Sequence, residues 1–184
     1  QLCERYQSLI EEEIPKQLIA VRGKDNMNRP ILVYLSRQES SPEFDTEAFI
    51  LARLYALERA IAAVEYLSFG KEEKMMCMFR TGGYQQAHMP PLTAVKQAVT
   101  VLQGNYPERL EKFVMLDPPF WMRSIHAILR IFLDEDTASK IVMVSGDSER
   151  LTKLNEIMSK DQAMPFMLPE GELTSPIDPM YFLH

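Results

Sequence analysis

The sequence lacks several features that would place it in common protein classes. It has only 2 cysteines, without metal-type spacing or a disulfide framework, which favours a reducing compartment. Its net charge is -6 and no lysine and arginine residues cluster, so nucleic acid is not an expected partner. With no run of 18 apolar residues and no signal-peptide pattern, neither a transmembrane helix nor a secretory leader is expected within it. We therefore predict a cytoplasmic location, with at most transient peripheral contact to membranes.

The composition that is present belongs to a packed domain. Hydrophobic residues make up 46% and charged residues 25% of the 184 residues, which allows one core large enough to enclose a cavity. We predict a single domain over residues 1–184, in which residues 1–28 form an N-terminal helix and strand. Because the chain begins with Gln1, we expect it to be a segment of a longer protein.

Short apolar strands alternate with helical patterns along the chain. The stretch "LIAVRGKDNMNRPILVYLS" (18–36) predicts two strands joined by a polar turn, and further strands are predicted at 74–79, 112–116 and 140–145. Helices are predicted at 2–14, at 44–67 with Asp45 as its cap, and at 92–103. In the last helix one face carries Leu92, Val95, Val99 and Leu102. This alternation predicts an α/β fold with parallel strands.

One segment has more apolar surface than a helix on a sheet requires. In "PFWMRSIHAILRIFL" (119–133), Arg123, His126 and Arg130 follow at spacings of three and four, so they form one narrow polar stripe. We expect His126 on this stripe to be solvated or hydrogen-bonded. Leaving the surplus apolar side chains in water would cost ~1.5–3 kcal/mol each. Another helix, a dimer surface, or a lipid or membrane must therefore cover them.

The stretch "NYPERL" (105–110) contains a candidate polar site. Pro107 suits the first turn of a helix, and Glu108 would lie beside the positive end of the helix dipole. Taken alone, the stretch predicts a solvated helix start. A carboxylate next to a guanidinium is common at such a position.

Catalytic chemistry is poorly supported by the sequence. Cys77 and His88 offer a thiol and an imidazole near Arg80, but Cys77 lies within an apolar strand, where free cysteine is commonly a small buried hydrophobe. "RTGG" (80–83) lacks the Lys-Ser/Thr of a nucleotide-binding loop. The 3 histidines are too scattered for a metal site. We predict no enzyme activity, no cofactor and no metal.

Three stretches, "NRPILVY", "NYPERLEKFVMLDPPFWM" and "FLDEDTASKIVMVSG", together resemble the CRAL-TRIO lipid-binding domain over roughly Asn28 to Gly146. This is the fold of phosphatidylinositol transfer proteins and of tocopherol and retinal carriers. The resemblance implies a mixed, mainly parallel sheet flanked by helices, forming an apolar lipid pocket closed by a gate helix. The gate region would be 118–140, and we call Phe120 to Leu133 the gate segment. The implied pocket or gate residues are Met75, Cys77, Phe120, Trp121, Ile125, Ile128, Leu129 and Phe132.

The resemblance also implies a headgroup site. In phosphatidylinositol-binding members, the Glu of Tyr-Pro-Glu and the Lys of Thr-x-x-Lys contact the headgroup, which points to Glu108, Thr137 and Lys140. Family members that exchange phosphatidylcholine carry hydroxyl residues where this chain has Met75 and Cys77. Arg80 replaces a usually acidic residue, and "LPEGEL" (168–173) replaces the common Leu-Pro-x-x-Tyr-Gly-Gly ending.

The implied function is non-catalytic binding and transfer or sensing of a glycerophospholipid, foremost phosphatidylinositol. The expected partners are this phospholipid and, transiently, a membrane; no protein partner is predicted. Two alternatives stay open. The chain could be an interaction module that places a larger signalling protein at membranes or binds a small GTPase, or it could carry another hydrophobic ligand such as a tocopherol or retinoid.

Overall fold

The computed structural model describes residues 6–11, 19–35, 44–159 and 162. Within them the strands are β1 (Ile19–Lys24), β2 (Pro30–Leu35), β3 (Met75–Arg80), β4 (Leu110–Leu116) and β5 (Ile141–Val144). The helices are α1 (Thr46–Ser68), α2 (Leu92–Asn105), α3 (Phe120–Leu129), α4 (Glu135–Ser139) and α5 (Asp147–Ile157), with 3-10 turns at Gln86–His88 and Arg130–Phe132. Residues 6–11 are also helical. Among these helices none is both long and apolar enough to cross a membrane. The predicted "LPEGEL" feature lies outside the described residues.

The five strands form one sheet in the order β1-β2-β3-β4-β5. β1 pairs with β2 in antiparallel fashion, and the other three pairings are parallel. This confirms the predicted α/β fold with a mixed, mainly parallel sheet. The strands at 74–79, 112–116 and 140–145 were each predicted within two residues of their observed ends.

The turn between β1 and β2 explains the predicted strand pair. The carboxylate of Asp25 accepts hydrogen bonds from the backbone N–H of Met27 and of Arg29, at 2.8 and 2.9 Å. Asn28 takes the left-handed conformation that tight turns need, with φ 62. Polar residues between two apolar runs therefore reverse the chain here, as predicted.

The two faces of the sheet are covered differently. On one face a cluster of aliphatic and methionine side chains packs against Leu154 and Ile157 of α5. On the other face, Leu32, Met75 and Cys77 pack against α1 through its small side chains. Alanines at four-residue spacing, namely Ala48, Ala52, Ala56 and Ala60, form the buried side of α1 and let its backbone lie close to its neighbours. Asp45 caps α1 as predicted, accepting from the N–H of Ala48 at 2.9 Å.

Helix α2 is not oriented as its apolar pattern suggests. Its buried residues are Ala94 and Ala98, which contact Phe49 of α1. The larger Val95, Val99 and Leu102 line a cavity, described below, and Leu92 is partly exposed. Ala94 and Ala98 thus form the buried centre of the helix–helix contact, Val95 packs at its side, and the larger side chains also border the internal space.

The prediction of a helix start at "NYPERL" is wrong. Helix α2 ends at Asn105, where the N–H of Tyr106 still bonds to the carbonyl of Leu102. The next residues form a turn in which Glu108 has φ 59, and β4 begins at Leu110. Pro107 suits this turn because its ring fixes the backbone angle and it needs no N–H partner.

Candidate functional site

The face of the sheet opposite α5 borders a cavity of about 550 Å³. The sheet forms the floor of this cavity, α1 and α2 form its walls, and the gate segment forms its roof. Leu110 and Ile141 line it where two parallel strands begin, whereas Leu35 and Met115 line it near the ends of such strands. The cavity therefore runs across the sheet from its amino edge to its carboxyl edge.

The floor of the cavity is apolar and aromatic. The predicted pocket residues Met75 and Cys77 are both buried and both line it. Tyr34, Phe79 and Phe113 lie beside them, with ring centroids 6.1–6.5 Å apart. Such spacing is favourable for aromatic pairs, so the floor is held in place by contacts within the sheet.

Burial makes Cys77 a poor nucleophile. Desolvation raises the pKa of the Cys77 thiol to about 12, because the thiolate would have to form in an apolar environment. The thiolate is the reactive form of cysteine. Cys77 therefore contributes to the cavity as a small apolar side chain.

The gate segment places its predicted residues on two opposite sides. Trp121, Ile125 and Leu129 line the cavity, and Trp121 also contacts the ring of Tyr84 at 5.6 Å between centroids. Met122, the one buried residue of α3, joins them. The remaining predicted residues are on the outside: Phe120 is 87% exposed, Ile128 43% and Phe132 40%, and the neighbouring Ile131 is 79% exposed. The gate segment thus has one apolar side toward the cavity and another toward solvent.

Only part of the predicted polar stripe on the gate segment faces solvent. Arg123 and Arg130 are exposed, and Arg123 donates from Nη2 to Ser145 Oγ at 3.2 Å. His126 lines the cavity instead, and its Nε2 is buried with no hydrogen-bond partner among the described residues. Burial, and then the nearby charge of Arg130, lower the pKa of His126. The expectation that His126 is solvated or hydrogen-bonded is therefore wrong for Nε2.

The amino edge of the cavity carries a polar cluster around Lys140. Its ammonium forms ion pairs with Glu108, at 3.6 Å from Oε2, and with Asp136. The Lys140 side chain is only 12% exposed, whereas Glu108 is 69% exposed. Burial disfavours the ammonium, but bonding to Asp136 and then to Glu108 outweighs it and raises the pKa of Lys140. Two of the three predicted headgroup residues are therefore in direct contact.

Backbone structure brings Glu108 and Lys140 together. Each lies just before a strand, and β4 and β5 are parallel neighbours. The carbonyl of Lys140 accepts from the N–H of Phe113 at 3.0 Å, which extends this pairing to Lys140 itself. The left-handed turn at Glu108 returns the chain into β4 beside it.

Thr137, the third predicted headgroup residue, lies in the first turn of α4. Its N–H donates to Asp134 Oδ1 at 2.7 Å and its hydroxyl donates to Oδ2 at 2.8 Å. Asp134 is thus the cap of α4, and these two bonds lower its pKa to about 2. The hydroxyl proton of Thr137 is committed to this cap, so toward a ligand the oxygen acts as an acceptor.

The start of the gate segment is anchored by a second ion-pair cluster. Asp117 has φ 55 and precedes Pro118 and Pro119. Arg150 of α5, which is 3% exposed, donates to Asp117 and also to Asp147. Arg80 is also buried here, and desolvation, followed by the charge of Arg150, lowers its pKa. Arg80 is recognisable in the sequence as an unusual residue at its position, but no motif indicates this cluster.

Two other contributors to the site were missed. Asp136 is four residues before Lys140, a spacing that predicts contact on a helix and could have identified it. Tyr84, which supports Trp121, follows a glycine turn and gives no signal in the sequence.

An α/β domain with an apolar cavity, a helical roof and an ion-paired lysine at one end is suited to hold a small amphiphilic molecule. The chain belongs to the CRAL/TRIO domain family, whose model matches residues 15–166.

The proteins that this chain resembles in sequence and in fold are consistent with membership of this family. It is 26% identical over 165 residues to Patellin-5 of Arabidopsis thaliana, covering 80% of this chain and 24% of that protein. It is 28% identical over 136 residues to the phosphatidylinositol transfer protein PDR17 of Saccharomyces cerevisiae, covering 72% of this chain and 37% of that protein. The crystal structure of Sfh5 is similar in fold, with a TM-score of 0.61 and 16% identity over 74% of this chain and 51% of that one.

Proposed function

We propose that the chain binds one glycerophospholipid, foremost phosphatidylinositol, and exchanges it with a membrane when the gate segment opens. No covalent chemistry is involved. The observation that carries this proposal is the apolar cavity with Lys140 and Glu108 at its amino edge. It offers an apolar space for acyl chains and polar groups for a headgroup in one continuous site.

The apolar lining supports lipid extraction on energetic grounds. Moving two acyl chains with ~30 methylenes from a membrane into water costs roughly 0.8 kcal/mol per methylene, more than 20 kcal/mol in total. The cavity of a carrier must recover most of this free energy by burying the chains against apolar side chains. A floor of methionine and aromatic side chains and a roof with Trp121 and Ile125 supply surface of that kind.

The polar cluster supports recognition of an inositol phosphate. Lys140 supplies charge-assisted donors for a phosphate, and Glu108 supplies acceptors for inositol hydroxyls. The Thr137 oxygen is a further acceptor nearby. PDR17 is a phosphatidylinositol transfer protein by name, which makes this lipid the first to test.

The outer side of the gate segment supports transient membrane contact. Phe120 and Ile131 are the most exposed apolar residues of this segment, at 87% and 79%. Side chains of this type bind the interface between headgroups and acyl chains. We infer a cytoplasmic protein that associates peripherally with membranes while it exchanges lipid.

The headgroup assignment predicts a loss of transfer without a loss of folding. Lys140→Ala and Glu108→Ala should each lower phosphatidylinositol transfer between vesicles by about tenfold or more, because each removes a charge-assisted contact worth ~1.5–3 kcal/mol. Unfolding free energies should change by about 1 kcal/mol or less, since the pair is partly exposed. Lys153→Ala is the matched control, because Lys153 pairs with Glu156 on α5, across the sheet from the cavity. Transfer by both site variants at the wild-type rate would contradict the assignment.

Native mass spectrometry of the purified chain tests the broader proposal. A stoichiometric phospholipid supports a carrier or sensor. A bound tocopherol or retinoid would keep the carrier function and replace the headgroup assignment. Protein that is empty and cannot be loaded from vesicles would contradict lipid binding and favour an interaction module.

A further inference from the structure

We propose that Asp136 sets the headgroup specificity of the cavity, because it competes with the phosphate of a bound lipid for Lys140. This inference rests on the proposed function and adds a residue to it. The family motif points to Lys140 and Glu108, but it does not assign a role to Asp136, the other carboxylate that pairs with Lys140.

The geometry makes Asp136 the primary partner of Lys140. Both residues belong to one turn, with Asp136 inside α4 and Lys140 at its end. The Asp136 carboxylate lies closer to the ammonium than Glu108, whose Oε2 is 3.6 Å away. Since Lys140 is only 12% exposed, its ammonium has few other directions from which an anion can approach. A phosphate that binds Lys140 must share it with Asp136 or displace that carboxylate.

The local charge strengthens this competition. Glu108, Asp134 and Asp136 all line the same end of the cavity as Lys140. Asp134 is committed to the cap of α4 through Thr137, and it also accepts from Gln103 at 2.5 Å. Asp136 is therefore the carboxylate that both occupies the lysine and repels an incoming anion.

The consequence is a preference for headgroups with little negative charge. A single phosphodiester with neutral hydroxyls can share Lys140 with Asp136 and bond to Glu108. A headgroup with additional phosphates brings more negative charge toward a set of lining residues at this end in which three carboxylates outnumber two cations, Lys140 and Arg109. The ligand class is thus a phospholipid with one phosphate, and phosphorylated inositol lipids are disfavoured.

Asp136→Asn tests this inference, with Glu135→Gln as the matched control. Glu135 is the adjacent residue on the same short helix, is exposed, and loses the same charge. Transfer is measured between vesicles that contain phosphatidylinositol or phosphatidylinositol 4-phosphate, in phosphate-free buffer so that the lipid is the only source of phosphate. Asp136→Asn should raise transfer of phosphatidylinositol about two- to fivefold, and of its 4-phosphate by more, whereas Glu135→Gln should change neither.

Repeating the Asp136→Asn substitution in a Lys140→Gln variant separates competition for Lys140 from a general charge effect. In Lys140→Gln, adding Asp136→Asn should raise transfer much less than it does in the wild type, because only the repulsion of the phosphate is then relieved and no competition for Lys140 remains. An equal rise with Glu135→Gln, or a rise that is just as large without Lys140, would overturn the inference. So would unchanged transfer by Asp136→Asn when the wild-type chain carries phosphatidylinositol. A wild-type chain that carries no phospholipid would instead refute the proposed function itself.

Discussion

The His126 imidazole is a titratable group on the roof of an apolar cavity. Its Nε2 is buried without a partner among the described residues, and burial and Arg130 lower its pKa. The observed position of the gate segment therefore favours the neutral ring. The neutral imidazole stabilises this position of the gate segment fully when the pH is above the ordinary histidine pKa of about 6.5. The stabilisation is lost as the pH falls below that value toward the lower pKa that His126 has in this position.

The lowered pKa of His126 predicts faster lipid exchange in mild acid. Between about pH 7.5 and about pH 5.5, opening should become easier because the exposed imidazole can take up a proton. Stopped-flow transfer of a fluorescent phospholipid measures the rate. His126→Gln keeps a polar side chain but does not titrate, so its rate should vary less with pH. An identical pH profile in the wild type and His126→Gln would exclude His126 as the titrating group.

At the level of single residues, the sequence predicted what lies in motifs and missed what depends on surroundings. Glu108 and Lys140 were predicted to act at one site, and they are in contact, although the headgroup role remains a prediction. His126 was assigned to solvent because polar residues on amphipathic helices usually face water. Its orientation follows from a cavity whose position only tertiary structure defines.

The gate segment is an element with two apolar sides, and the outer one predicts a membrane contact that can be removed without loss of stability. Phe120→Ser combined with Ile131→Ser should weaken association with vesicles and slow lipid transfer. The unfolding free energy should change by about 0.5 kcal/mol or less, because both side chains are largely exposed in the folded state. Vesicle cosedimentation and thermal unfolding measure the two effects.

Tyr66→Ser provides the control for the gate variant. Tyr66 is 80% exposed on α1, so its substitution removes a large exposed side chain from another surface. It should leave vesicle association unchanged. If Tyr66→Ser weakened association as much as the gate variant, the contact would be a general effect of surface hydrophobicity rather than a property of the gate segment.

Element boundaries were easier to predict than element orientation. The strands are short apolar runs between turn signals, and α1 begins at its predicted cap, Asp45. For α2 the sequence placed Leu92, Val95, Val99 and Leu102 on one apolar face, but it gave no sign that Ala94 and Ala98 would be the buried residues. Sequence periodicity identifies an apolar side, but it cannot distinguish side chains that touch protein from those that border an empty volume.

At the scale of the whole molecule, Arg150 links the helix on one face of the sheet to the start of the gate segment on the other. Arg150→Met should lower the unfolding free energy by about 2–3 kcal/mol, because it leaves the mostly buried Asp117 without its charged partner. Urea unfolding at constant m-value measures this change. Arg123→Met is the control, since Arg123 makes one exposed bond to Ser145 and should cost under about 1 kcal/mol. Equal stability of both variants would show that the cluster does not support the fold.

The overall fold was predictable because strand and helix patterns alternate and the family motifs keep their order. The turn at Glu108 was not, since Tyr-Pro-Glu also suits a helix start and the choice depends on where β4 pairs. The ion-pair cluster around Arg150 was also missed, because Arg80, Asp117 and Arg150 are far apart in the chain and share no motif.

The ladder between β4 and β5 fixes the separation of positions 108 and 140 without using either side chain. The backbone therefore holds these two positions at a fixed separation, while the gate segment starts beyond the opposite, carboxyl edge of the same sheet. Headgroup preference should therefore be open to redesign by exchanging side chains at positions 108 and 140, together with Asp136, while the gate segment is left unchanged.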